Sequence, residues 1–173
     1  GDHRDLHLSL RRQRQMCIRD RPGGNGFLPH QDAPAFNSFD QTYHITMMVS
    51  IDSCNMENGC LEMVPGHHRQ GILPTAADAT IDPDIAETLT WKLLPSEIGD
   101  IVFFDSYIPH RSGPNRSDQP RRALYVTYNR ESEGSYREKY YRCKRDIFPP
   151  DIERDPKKDY QDSGLFNVGN PIK

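Results

Sequence analysis

Apolar positions in this chain come in short bursts, each about one strand long, with turn-forming residues between them. The clearest bursts are 43–51, 61–64, 101–104 and 123–128. The stretch 42–51 is rich in β-branched residues and reads as a strong strand. Residues 101–104 follow a Gly99-Asp100 turn and read as a buried strand, and 123–128 alternates behind Arg121-Arg122. Asn58-Gly59 is a turn signal leading into a strand at 60–64, which Pro65-Gly66 closes. A brief strand at 27–32 and a fifth strand at 88–94 around Trp91 complete the set. The intervening 33–41 and 72–88 read as loops, the latter with a helical turn after Pro83. Ser135 and Glu138 have capping-box spacing and predict a helix at 135–146, followed by an ordered or semi-ordered tail at 148–173. No internal repeat is present. Serial short strands with one late helix predict a mainly β fold, an antiparallel sandwich or jelly roll.

Composition supports that picture. The chain has 173 residues, enough for one domain with a sizeable core, and 14 Pro and 12 Gly punctuate the strands. With 35% hydrophobic residues and a mean hydropathy of −0.82, the core must be built from the few bursts named above. A net charge of −3 without a basic, aromatic-interleaved cluster argues against a nucleic-acid partner. No apolar run nears the roughly 20 residues needed to span a bilayer, and no signal-peptide core is visible, so no membrane partner is expected. Cys17, Cys54, Cys60 and Cys143 form no C-x-x-C pair or disulfide framework, which suits a reducing, cytoplasmic setting.

Residues 1–22 differ from the rest. Six of the 22 cationic residues fall there, and without them the remaining 16 face 22 acidic residues. A basic arm is the ordinary reading. The run Arg11-Arg-Gln-Arg-Gln-Met-Cys-Ile-Arg-Asp-Arg21 instead resembles a translated sequencing adapter. That reading sets 1–22 apart as non-native. It expects a single domain at 23–173, with a core at 27–130, a helix and tail at 131–173, and the N-terminal part of the fold missing.

Candidate chemistry centres on His30, Asp32 and His110. At positions i and i+2 of a strand, His30 and Asp32 would face the same way. His110, beside a Ser-Gly-Pro-Asn turn, can add a third ligand. Two histidines and one carboxylate form a facial set that leaves positions open on non-haem Fe(II). On the triplet alone, His30 reads more readily as a satisfied surface or loop histidine than as a ligand, and His3-Arg4-Asp5 repeats the pattern with no strand around it.

Three blocks together carry more. His30-Gln31-Asp32, Asn58-Gly-Cys-Leu-Glu-Met-Val-Pro-Gly-His-His68, and Gly99-Asp-Ile-Val-Phe-Phe-Asp with His110-Arg-Ser-Gly-Pro-Asn115 and Arg121 resemble the phytanoyl-CoA dioxygenase family. The resemblance covers about residues 27–130. It implies a double-stranded β-helix, a cupin-like jelly roll, that hydroxylates a small organic metabolite with release of succinate and CO2. Fe(II), 2-oxoglutarate and O2 are the implied cofactors. His30, Asp32 and His110 match the metal ligands and catalytic centre. Arg121 matches the residue pairing with the distal carboxylate of 2-oxoglutarate, assisted by Ser112. Arg122 is the competitor, on the opposite face of the strand. Halogenases of the wider superfamily carry a small residue in place of Asp32, so the carboxylate implies hydroxylation.

Several other residues have more ordinary readings. The family pattern makes the second of His67 and His68 structural. His44 lies in phase with Thr46 and Met48, on a face that lines either the cavity or ordinary core. Tyr136, Tyr140 and Tyr141 pack the late helix, and Asn115 is a turn residue. The loop 33–41 and the tail after Asn129 are expected to shape the pocket, their composition leaning toward a polar or anionic metabolite. Two other classes of function compete: a cupin-type metal-dependent isomerase or lyase, needing the triad without Arg121, and a binding-only jelly roll.

Overall fold

The computed structural model describes residues 10–20, 22–160 and 166, the first segment by its backbone. Its strands, in chain order, are β1 (Leu10–Asp20), β2 (Phe27–His30), β3 (His44–Ser50), β4 (Leu61–Met63), β5 (Lys92–Leu94), β6 (Ile101–Asp105), β7 (His110–Ser112) and β8 (Arg121–Arg130). Three helices join them, α1 (Ala33–Asn37), α2 (Pro83–Thr88) and α3 (Arg137–Ile147). The strands form two four-stranded antiparallel sheets, ordered β1-β8-β3-β6 and β2-β7-β4-β5.

Alternation along the strands decides what faces inward. On β3, His44, Thr46, Met48 and Ser50 are buried while the residues between them are half-buried. Thr46 stands opposite Thr127 of β8, and their hydroxyls are 3.0 Å apart. Met48, Phe104 and Ala123 from one sheet meet Leu61 from the other in a single apolar cluster. Two sheets sharing one core in this way form the jelly roll, the double-stranded β-helix expected from the sequence.

Several elements depart from the sequence reading. The run 101–104 is not wholly buried: β6 is an edge strand, so Phe104 faces the core while Ile101 and Phe103 stay exposed. Residues 33–37 form α1 rather than loop; Pro34 sits in its first turn, where a missing N–H costs nothing. The capping box at Ser135 does not form. Helix α3 begins at Arg137 behind Tyr136, with no side-chain cap. Trp91 falls just outside β5: its indole Nε1 donates to Ala86 O at 2.9 Å and the Arg111 guanidinium lies 4.4 Å over its ring. The helical turn after Pro83 is α2, with the Asp82 carboxylate accepting from the Asp84 and Ile85 amides. The segment left out of the expected fold supplies β1, paired along its length with β8. An extended segment free of Gly and Pro can pair with an open strand edge through backbone groups alone, whatever its side chains.

A second cluster fixes the C-terminal helix. Tyr140 of α3 is buried against Phe36 and Phe39, beside α1. Tyr136 packs partly against this cluster, while Tyr141 is exposed. Truncating a buried aromatic leaves a cavity and costs about 3–5 kcal/mol. The Tyr140→Ala protein should therefore lose most of that amount in urea unfolding; a loss below about 1 kcal/mol would show that α3 docks by other means.

Candidate metal centre and anion pocket

Three side chains converge where β2 and β7 run side by side. His30 pairs with His110 across the two strands, and their rings are 4.1 Å apart. Both are buried. The Nδ1 of His30 lies 2.7 Å from Leu28 O and that of His110 lies 2.9 Å from Ile108 O. A ring that donates Nδ1–H to a carbonyl keeps a lone pair on Nε2, the arrangement found on metal-binding histidines.

Asp32 reaches them by a different route from the expected one. It is not a strand residue on the same face as His30. The strand ends at His30, and Asp32 is the N-cap of α1 in helical conformation (φ −77°, ψ −26°). The turn swings its carboxylate back, so Oδ1 lies 3.8 Å from His30 Nε2 and 3.9 Å from His110 Nε2. Those separations are too long for direct hydrogen bonds and leave room for a cation between the three atoms. Candidate ligand atoms on all three residues lie within 4.8 Å of one another. Two imidazoles and one carboxylate, half-enclosed by protein, suit a divalent first-row metal such as iron.

The facing sheet supplies the opposite charge. Arg121 opens β8, is buried, and projects toward β7, where Nη2 lies 3.5 Å from Ser112 Oγ. Ser112 Oγ accepts from the Phe27 amide at 3.0 Å, which fixes the hydroxyl in place. Arg122 points outward, and the Asp52 carboxylate grips it from Nε and Nη2 at 2.8 and 2.7 Å. Those hydrogen bonds hold the Asp52 carboxyl below its ordinary range. Arg121, Ser112, Phe27, Met48, Cys54 and Tyr125 are among the residues lining a pocket of about 350 Å³, open mouth included. Burial pushes the Tyr125 phenol up, against the opposing pull of Arg121, and burial also pushes the Cys54 thiol up. The pocket therefore holds a permanent cation among neutral walls.

Tyr125, Cys54 and Phe27 were missed as pocket residues. Tyr125 was legible in principle, since it is in phase with Arg121 and Ala123 on β8. His67, not His68, is the buried member of its pair, because the 3-10 turn after Gly66 points the first histidine inward and leaves the second exposed. His44 stacks on Phe36 at 4.2 Å between ring centres. Asn115 is a turn residue, donating to Gln119 O and accepting from Ser117.

The family model of phytanoyl-CoA dioxygenase matches residues 5–123. A 2-aminoethylphosphonate dioxygenase from an uncultured bacterium is 52% identical over 153 residues, covering 88% of this chain and 58% of that protein. A methylphosphonate hydroxylase from Gimesia maris is 46% identical, covering 73% of this chain and 48% of its own length. The chain thus spans about half the length of these relatives. Among solved structures, EvdO2 from Micromonospora carbonacea complexed with 2-oxoglutarate superposes with a TM-score of 0.60 at 28% identity, covering 70% of this chain and 52% of that one. EctD from S. alaskensis, at 20% identity and a TM-score of 0.61, shares the fold and covers 72% of this chain and 45% of its own. With the family model matched over most of the sequence, the chain belongs to the phytanoyl-CoA dioxygenase family.

Proposed function

We propose that the protein is an Fe(II)- and 2-oxoglutarate-dependent dioxygenase that hydroxylates a small organophosphonate. The carrying observation is a pair of sites facing one interior: the His30, Asp32, His110 constellation, and the Arg121–Ser112 pocket beside it. The donor set fits iron, because both histidines present Nε2 and the single carboxylate leaves coordination positions free. When bound, Fe(II) with 2-oxoglutarate would activate O2: the co-substrate gives up two electrons and leaves as succinate and CO2, one oxygen atom entering succinate and the other the substrate C–H bond as a hydroxyl group. The names of the two relatives support a phosphonate as the substrate class.

The residues of this chain do the holding. His30 and His110 are kept in one tautomer by the Leu28 and Ile108 carbonyls, and Asp32 contributes a negative charge from a helix cap. Arg121 offers a planar, permanently charged partner for the distal carboxylate of 2-oxoglutarate, with the Ser112 hydroxyl beside it. Apolar walls from Met48, Leu61 and Phe27 exclude water, which strengthens that pairing.

Succinate formation in the presence of Fe(II), O2 and 2-oxoglutarate tests the reading. Addition of 2-aminoethylphosphonate or methylphosphonate should raise it several-fold and yield a hydroxylated phosphonate. Turnover that no phosphonate accelerates would remove the substrate class. Iron binding without any 2-oxoglutarate binding would favour the cupin-type alternative.

A further inference from the structure

The residues between β3 and β4 touch both arginines at the head of β8. Asp52 grips Arg122 from outside: Oδ2 accepts from its backbone amide at 2.8 Å as well as from Nε, and the Ile51 and Asp52 amides donate to Arg122 O at 3.0 and 3.2 Å. Seven residues on, the same loop reaches Arg121 from inside. Gly59 has φ +78°, and a Cβ placed on it would lie 2.2 Å from Gly113 O and 3.1 Å from Arg121 Nη1. Only a residue without a side chain lets the loop press this close to the Gly113 backbone, and that approach is what brings Gly59 beside the guanidinium.

The loop between these two contacts is tightly braced. Asn55 Oδ1 accepts from the Glu57 and Asn58 amides at 2.9 and 3.1 Å. Asn58 Oδ1 accepts from the Asn55 amide at 2.8 Å, and its Nδ2 donates to Ser53 O at 2.9 Å. The Cys60 amide closes the turn onto Asn55 O at 2.7 Å. Cys54 pairs with Ser96 through both backbone groups, tying the base of the loop to the chain ahead of β6. The braced tip lies beside Arg121, the buried cation lining the pocket.

We infer that the Asp52–Gly59 loop is a positioning element for Arg121, with Gly59 as the residue that sets where the guanidinium lies and hence how tightly the dicarboxylate is held. This rests on the proposed function, since it concerns the 2-oxoglutarate end of that site. Asp52 and Ile51 fix the strand through the backbone amide and carbonyl of Arg122, whatever its side chain, and Gly59 limits Nη1 from the other side. The metal constellation lies on β2, β7 and α1, none of which the loop's bracing bonds involve.

The test is anaerobic titration of the protein with Fe(II) and then with 2-oxoglutarate, following the visible absorption of the complex in place of turnover. Gly59→Ala should bind Fe(II) as the parent does but require on the order of tenfold or more 2-oxoglutarate, since misplacing a positioned group by about 1 Å can cost as much as about 100-fold. Gly99→Ala is the control: Gly99 also has positive φ (+89°) but nothing within 4 Å of a Cβ, so it carries the backbone strain without the intrusion. It should lower the melting temperature and leave the 2-oxoglutarate requirement unchanged. Asn58→Ala removes two braces without adding an atom and should weaken 2-oxoglutarate binding several-fold, which keeps the question answerable if Gly59→Ala does not fold. Unchanged 2-oxoglutarate affinity in Asn58→Ala or in folded Gly59→Ala, or an equal loss in Gly99→Ala, overturns the inference. A parent protein that binds Fe(II) but no 2-oxoglutarate overturns the proposed function and this inference with it.

Discussion

His110→Ala protein is expected to fold, to lose Fe(II) binding at micromolar metal, and to lose turnover by on the order of 10³-fold or more. The side chain is one of three candidate donors among the described residues, and its strand, β7, is held on both sides by β2 and β4, so the backbone should persist without the ring. Truncation leaves the His30 imidazole and the Asp32 carboxylate, a pair too few to hold a divalent ion against water. The check is metal content after dialysis alongside a melting curve. Retained iron with retained turnover would mean that the metal sits elsewhere. A collapsed melting transition would shift the comparison to His110→Gln, which preserves bulk and polarity but lacks the imidazole.

The second large effect is at Arg121. Removing one partner of a buried charge pair costs about 2–5 kcal/mol, so Arg121→Ala should raise the 2-oxoglutarate requirement roughly 30- to 4,000-fold while iron binding is kept. Arg121→Lys retains the charge but not the fork and should fall between. Arg122→Ala is the matched control, because that side chain is turned outward onto Asp52. It should cost at most about 1 kcal/mol of stability, the worth of an exposed ion pair, and leave 2-oxoglutarate binding intact. If Arg122→Ala were the variant that lost 2-oxoglutarate, the pocket would have been assigned to the wrong side of β8.

Much of the architecture was legible because strand periodicity is local. The strand at His44–Ser50 announced itself by β-branched content, that at Leu61–Met63 by the turn signal before it, and that at Arg121–Arg130 by alternation, which also separates Arg121 from Arg122. The candidate ligands were legible as types and spacings. Their geometry was not. A His-x-Asp triplet looks like two residues on one strand face, and nothing local says that the strand ends at the histidine and a helix begins at the aspartate. Helix α1 is five residues long and has a proline in its first turn, too short for a helical period to show. Strand β7 escaped for the same reason, with three residues between a turn and a Gly-Pro. The capping box at Ser135 failed because tertiary packing of Tyr140 set where α3 starts. Likewise, which of His67 and His68 turns inward depends on the positive φ of Gly66, a backbone choice that residue identity alone leaves open.

Strand β7 has one further property. His110 and Ser112 are alternate residues on it, both turned to the buried face. Two strand residues rise by about 6.6 Å, and that figure is set by covalent geometry, not by how the core happens to pack. One end of that step carries a metal-directed imidazole; the other carries the hydroxyl on which Arg121 rests. Under the proposed function the strand would work as a ruler for a two-ended acid. Repacking the core at Met48 or Phe104 can loosen the grip on the co-substrate, but it cannot change the length that is measured. Discrimination against diacids one carbon shorter or longer should survive mutations that cost most of the affinity.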